Sequence, residues 1–268
     1  MARQWRSVGL QTDLELAATR GSVTERDDYT VVTTPDDPSY YTGNQLVLPA
    51  APQVGEVAYW TRKFGTELGH DREIRHVALR WDGIAGDVGA RSELEAAGFT
   101  MDTSVVLSAT RAITAPSTLF ELRPLAVREM QATAELAYAV GDRHDETTRT
   151  FLARRAAWQQ QLVGAGKAMW WGAFDRIAGR ETLVGSLGLV ALGTRARYQD
   201  VQTAATHRQR GIASAMLVAA ANALLPSITK LVIVAEPNSA AERVYARAGF
   251  VAFENVVAAC RYPATTKN

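Results

Sequence analysis

Apolar and polar positions follow two rhythms along this chain, and the rhythm switches at nearly every turn signal. Short β-branched or apolar runs predict strands at Asp28–Thr34, Leu46–Leu48, His76–Trp81 and Thr103–Ser108 in the first part of the chain. Further runs predict strands at Phe120–Leu125, Lys167–Phe174, Leu183–Val190, Ala196–Thr203 and Lys230–Ala235, with a last Val-rich strand after Phe250. Helix-spaced apolar residues predict helices at Trp5–Thr19, Val54–Leu68, Val88–Ala97, Val127–Val140, Thr147–Val163, Ser214–Leu225 and Ser239–Ala248. Pro35 to Pro38 and Asp175 to Arg180 read as turns, and Pro49 and Pro52 stop a strand. Ala112–Thr118, AITAPST, reads as a linker between two domains, 1–111 and 119–268.

One pattern occurs twice. Glu93–Phe99 and Val244–Phe250 both end in Ala-Gly-Phe, each after a strand and a helix and before a Val-rich strand. Repetition of flanking elements in the same order points to a duplicated unit. Counting back from the Gly-Phe pair, Tyr245 of the second copy corresponds to Leu94 of the first.

The densest chemical signal lies in Val201–Leu225. Val201-Gln202-Thr203 ends a strand, Arg208-Gln209-Arg210-Gly211-Ile212-Ala213 forms a basic turn, and an Ala-rich helix follows through Ser214. A helix N-terminus offers unpaired N–H groups and the positive end of the macrodipole, which favour phosphate. Gly211 carries no Cβ to keep an anion away, and Arg208 and Arg210 would add charge-assisted hydrogen bonds. This suits a diphosphate. The loop G-x-x-x-x-G-K-[ST] and the fingerprint G-x-G-x-x-G after a strand are both missing. A solvated basic turn that simply caps a core helix is the competing reading.

The turn Arg208–Ala213 resembles the R/Q-x-x-G-x-G/A motif of the GNAT superfamily of acyl-CoA-dependent N-acyltransferases. Asn238 after a buried strand, Tyr245 seven residues on, and Gly249-Phe250 are similar to the next conserved block of that family, in the same order. The resemblance covers roughly Leu119 to the C-terminus. It implies an α/β (α+β) fold with a mixed, mostly antiparallel sheet flanked by helices, and the predicted order βααβββαβαβ suits it. It implies acetyl-CoA as cosubstrate without a metal, held by Arg208, Gln209, Arg210, Gly211, Ile212, Ala213 and Ser214. Val201, Gln202 and Thr203 would pair with the pantetheine arm and polarise the thioester. Tyr245 would protonate the leaving thiolate; a plain core aromatic is its other reading. Asn238 would bond the pantetheine or serve as a helix N-terminal residue. The strand before Asn238, Leu231–Ala235, lacks the glutamate that many relatives use as base, which leaves Asp200, Glu236 or a water chain.

By the same comparison, residues 1–111 read as a smaller, degenerate GNAT-like half. The turn Pro49–Gly55 has no arginine, and its prolines donate no N–H. Tandem GNAT proteins with one weakened half, mycothiol synthase among them, resemble this layout.

Composition narrows the partners. A net charge of +1 over 268 residues gives no field to draw nucleic acid or an anionic membrane. One cysteine, Cys260, excludes an internal disulfide framework and suits the cytoplasm. No apolar core of a signal peptide and no apolar run of membrane-spanning length is present. His70, His76, His144 and His207 are scattered and read as ordinary surface or core residues rather than metal ligands. The expectation is an N-acetyltransferase acting on the amine of a small molecule or peptide, monomer or homodimer. The alternative is a non-catalytic acyl-CoA-binding or regulatory module of the same fold.

Overall fold

The computed structural model describes residues 3–110 and 113–263, so Arg111 and Ala112, where the expected first domain ends and its linker begins, lie outside the described residues. In chain order, the first elements are α1 (Val8–Ala17), β1 (Ser22–Glu25), β2 (Thr30–Thr33), β3 (Gln45–Leu48), α2 (Val57–Leu68), β4 (Val77–Trp81), α3 (Arg91–Ala96) and β5 (Thr100–Ala109). There follow β6 (Glu121–Pro124), α4 (Gln131–Val140), α5 (Glu146–Gly164), β7 (Ala168–Ile177), β8 (Arg180–Leu192), β9 (Arg195–Thr203), α6 (Ile212–Asn222), β10 (Lys230–Ala235), α7 (Ala240–Ala248) and β11 (Val251–Arg261). They form two compact units, Met1–Val106 with Phe253–Asn268, and Leu107–Ala252.

The first unit orders its strands β1-β2-β3-β4-β11-β5. β3 and β4 run parallel, with Leu46 opposite Leu79, joined through α2. Leu46, Val47 and Leu48 of β3 are all apolar because both faces of the strand are covered. Leu46 and Leu48 pack with Trp60 and Phe64 of α2, while Val47 packs with Leu10 and Leu14 of α1. From Phe253 onward the C-terminal strand, which the sequence division kept in 119–268, clusters with this unit. β11 pairs antiparallel with β4 from Val77 to Arg80. Its buried Glu254 accepts from Ser7 Oγ at 2.7 Å and from the N–H groups of Val8 and Gly9, the first turn of α1. Linear sequence does not reveal which sheet a terminal strand joins.

The second unit orders its strands β10-β9-β8-β7-β6. β7 to β9 form an antiparallel meander, β6 adds antiparallel to β7, and β9 and β10 run parallel through the α6 crossover. α6 packs on the sheet so closely that a Cβ at Gly185 would meet Ile212 Cγ2 at 2.8 Å. α4 and α5 pack on each other through Ala134, Ala137, Leu152 and Ala156. The stretch Asp175–Arg180, expected as a turn, is mostly strand. Only Ala178 and Gly179 turn, both at positive φ, the two-residue hairpin that matches strand twist. β1 was not anticipated, because its Ser-Val-Thr-Glu edge is polar and largely exposed. Among the described residues no helix is long and apolar enough to cross a membrane.

Candidate functional site

The turn between β9 and α6 holds the densest row of open backbone donors that the sequence anticipated. Gly211 sits at the N-terminus of α6 with φ +75°, and Gln209 also takes a positive φ, +63°. Helix begins at once, with Ala215 N–H bonding Gly211 O at 3.0 Å. The N–H groups of Gln209, Arg210 and Gly211 meet no backbone acceptor among the described residues, and those of Ile212, Ala213 and Ser214 belong to the first turn that a helix leaves unpaired. Arg208 and Arg210 are exposed, and Arg208 Nε reaches back to Thr203 O at 3.4 Å. The glycine is required by its φ. A Cβ there would stand 3.6 Å from Pro116 Cγ, an ordinary contact, so the requirement is conformational.

A buried histidine braces this turn from behind. His207 Nε2 stands 3.0 Å from Asp175 Oδ2, and Nδ1 stands 2.8 Å from Thr206 Oγ1. Phe120 lies between the imidazole, ring centroids 5.7 Å apart, and the Arg210 guanidinium, 5.5 Å from its ring. The bond from His207, with the charge of Arg210 adding to it, holds the Asp175 carboxyl below its ordinary range. Read from sequence, His207 was one of four scattered histidines. Its partner lies 32 residues away, so no local signal could have singled it out.

β9 carries an open edge. It pairs with β8 as far as Thr203, but with β10 only over Arg195, Ala196 and Arg197. Beyond Arg197 the two parallel strands have no registered pairs among the described residues, which leaves the β10-facing edge of Gln199–Thr203 available to an extended ligand. The β8 ladder breaks within this stretch. Ser186 faces Gln202 and Gly188 faces Gln199, so Asp200 and Val201 together oppose Leu187 in a β-bulge.

The remaining candidates scatter around this edge. Tyr245, on α7, is 5% exposed, and its hydroxyl makes no hydrogen bond to a described residue. Burial pushes it up to about 12, so it is a neutral phenol at physiological pH. Its ring packs on Phe250, which meets Tyr198 of β9. Asn238 has φ +60°, and its backbone is held by Glu242 and Arg243 of its own helix. The N-cap is Ser239, whose side chain accepts from Glu242 N–H. Asp200 is tied to α5 through Arg155 and Gln159, and Glu236 is exposed at the end of β10.

The sequence profile described as the acetyltransferase (GNAT) domain matches residues 135–261. This segment is a GNAT acetyltransferase domain. Solved structures extend the likeness in fold over nearly the whole chain. A GCN5-related N-acetyltransferase from Kribbella flavida is 12% identical with a TM-score of 0.64, over 95% of this chain and 96% of that one. A functionally unknown conserved protein from Staphylococcus epidermidis is 11% identical at TM-score 0.71, over 90% and 93%. A tandem GNAT protein from the clavulanic acid biosynthesis pathway is 14% identical at 0.54, over 81% and 73%. No curated protein sequence matches the chain.

The GNAT domain contains the open turn, the β9 edge and Tyr245. The first unit is GNAT-like in fold, yet its corresponding turn is already filled. Gly55 N–H donates to Glu93 Oε2 at 2.6 Å, and Gln53 N–H donates to Glu56 Oε2 at 2.9 Å. Its own carboxylates occupy donors that the second turn leaves free. The GNAT domain supports acyl transfer as the class of chemistry.

Proposed function

We propose that this protein transfers an acyl group, acetyl in the simplest case, from acyl-CoA to an amine of a small molecule or peptide by direct attack. One observation carries the reading: the Gln209–Ser214 turn presents free N–H groups beside two exposed arginines, in a GNAT domain, while the matching turn of the first unit is blocked by its own glutamates. The turn would hold the CoA diphosphate, and the open edge of Gln199–Thr203 would pair with the pantetheine arm. Donors on that edge would stabilise the oxyanion as the amine nitrogen bonds to the carbonyl carbon. Collapse breaks the carbon–sulfur bond, and one proton passes overall from nitrogen to sulfur.

Tyr245 fits the sulfur side of this step. A phenol at about 12 is fully protonated at neutral pH and can donate. Thiols ordinarily titrate near ~8.5, so the phenol is the weaker acid and acts mainly by hydrogen-bonding the departing thiolate. A second reading, acyl-CoA binding without turnover, draws on the engaged carboxylate of Asp200 and the lack of an acid within β10. The buried, unpaired Cys260 supports a reducing compartment such as the cytoplasm. Release of free CoA from acetyl-CoA, measured across a panel of amines with the intact protein and with Tyr245→Phe, separates the two. Amine-dependent release that falls in the variant supports transfer, and binding with no release for any amine supports the module.

A further inference from the structure

Asp200 stands where β9 leaves its regular ladder. Its φ is +49°, a conformation that non-glycine residues seldom hold and that Asp and Asn tolerate best. Both carboxylate oxygens are engaged from one helix. Arg155 Nη1 stands 3.0 Å from Oδ1, and Gln159 Nε2 donates to Oδ2 at 2.5 Å. Arg155 and Gln159 are one turn apart on α5, so they present their heads side by side. Gln159 is itself 2% exposed, and the Thr133 hydroxyl of α4 stands 3.3 Å from its Oε1. α5 therefore grips the strand at its bulge through both oxygens of Asp200. A bulge re-aims the backbone that follows it, here Val201–Thr203.

We propose that Asp200 is a positioning residue: with Arg155 and Gln159 it forms a clamp that locks the β9 bulge and sets the direction of the Val201–Thr203 backbone groups, and it is not the base that takes the acceptor's proton. The link to rate rests on the acyl-transfer reading above. The clamp itself is a property of the fold and is measured without substrate. A general base must turn a carboxylate oxygen toward the reacting amine, and both oxygens of Asp200 are turned toward α5. A backbone held at positive φ in a non-glycine residue persists only where its surroundings over-determine it, and this clamp does so.

The test uses the full chain with Asp200→Asn, Arg155→Met and the double variant. Hydrogen exchange of peptides covering Gln199–Thr203, without ligand, is expected to speed up roughly tenfold or more in both single variants. With an amine that the native protein turns over, each single variant is expected to lose about 10- to 100-fold in kcat, since an ångström of misplacement costs on that scale. The double variant is expected to be no worse than either, because both remove one clamp. The acidic limb of the pH profile is expected to stay in place in Asp200→Asn. Unchanged exchange in both single variants overturns the clamp. So does a profile in which Asp200→Asn alone abolishes the acidic limb while Arg155→Met keeps full activity. If no amine is turned over by the native protein, the acyl-transfer reading falls, and the exchange measurement still decides the clamp. Asp200→Ala is not needed, because the Asn and Met variants keep volume and favour folding.

Discussion

Tyr245 and Leu94 occupy the same place in two copies of one turn. Phe250 N–H bonds Tyr245 O at 3.0 Å, and Phe99 N–H bonds Leu94 O at 3.0 Å, in each case across a glycine at positive φ, Gly249 and Gly98. The backbone repeat is exact enough to align the halves, so the difference lies in the side chain. The first half puts a fully buried leucine where the second puts a phenol. Tyr245→Phe keeps the ring and removes only the hydroxyl. We expect CoA affinity within about twofold of the native value and kcat lower by roughly 10²–10³, the range for loss of one hydrogen-bond donor to charge that develops in the transition state. Steady-state kinetics with titration of CoA checks both, and an unchanged kcat would leave the residue as packing.

The two arginines of the open turn act on charge. Arg208→Ala and Arg210→Ala should each weaken CoA binding by about 1.5–3 kcal/mol, the usual worth of a charge-assisted bond, with a shallower dependence on salt. Binding isotherms at low and high ionic strength measure this. Gly211→Ala should destabilise by about 1–2 kcal/mol, because the residue sits at φ +75°. Denaturant unfolding reads that loss.

His207 braces the turn rather than touching ligand. His207→Ala removes the bond to Asp175 and the face against Phe120, so the expected result is a rise in KM for acyl-CoA of roughly 10-fold with kcat little changed. His207→Gln, which can still reach Asp175, should recover much of the affinity. Equal KM in all three proteins would remove the brace.

His76 makes the first unit sensitive to acid. It is buried, with Nε2 2.9 Å from Asn44 O, and burial lowers its pKa below the ordinary value. In the unfolded chain it takes up a proton near pH ~6.5, while the folded chain resists. The unfolded state then binds more protons, so stability is full above about pH 6.5 and falls as the pH drops through the window below it. Thermal unfolding between pH 8 and 5 should show this decline, and His76→Gln should flatten it. A parallel decline in the variant would assign it to other groups.

What could be read from sequence was what is local. The turn Arg208–Ser214, the strand Lys230–Ala235 and the Gly249 cap depend on residues within a few positions, and each appears where its side chains place it. Asp200 was legible only as an acid beside the turn. Its meaning comes from Arg155 and Gln159, some forty residues earlier, and spacing along the chain does not encode that meeting. The same holds for β11, which continues from α7 yet pairs with β4 in the first unit, where its Glu254 accepts from Ser7 at the start of α1. Asn238 shows a smaller limit, since the helix is capped by the next residue, Ser239, and Asn238 instead takes the left-handed turn before it.

Titration calorimetry of the intact protein with CoA tests the account most directly. Saturable uptake of one CoA per chain is expected, weakened by salt and by Arg210→Ala. Absence of any binding heat at millimolar CoA across several temperatures would contradict it, because the free donors of Gln209–Ser214 would then hold no diphosphate.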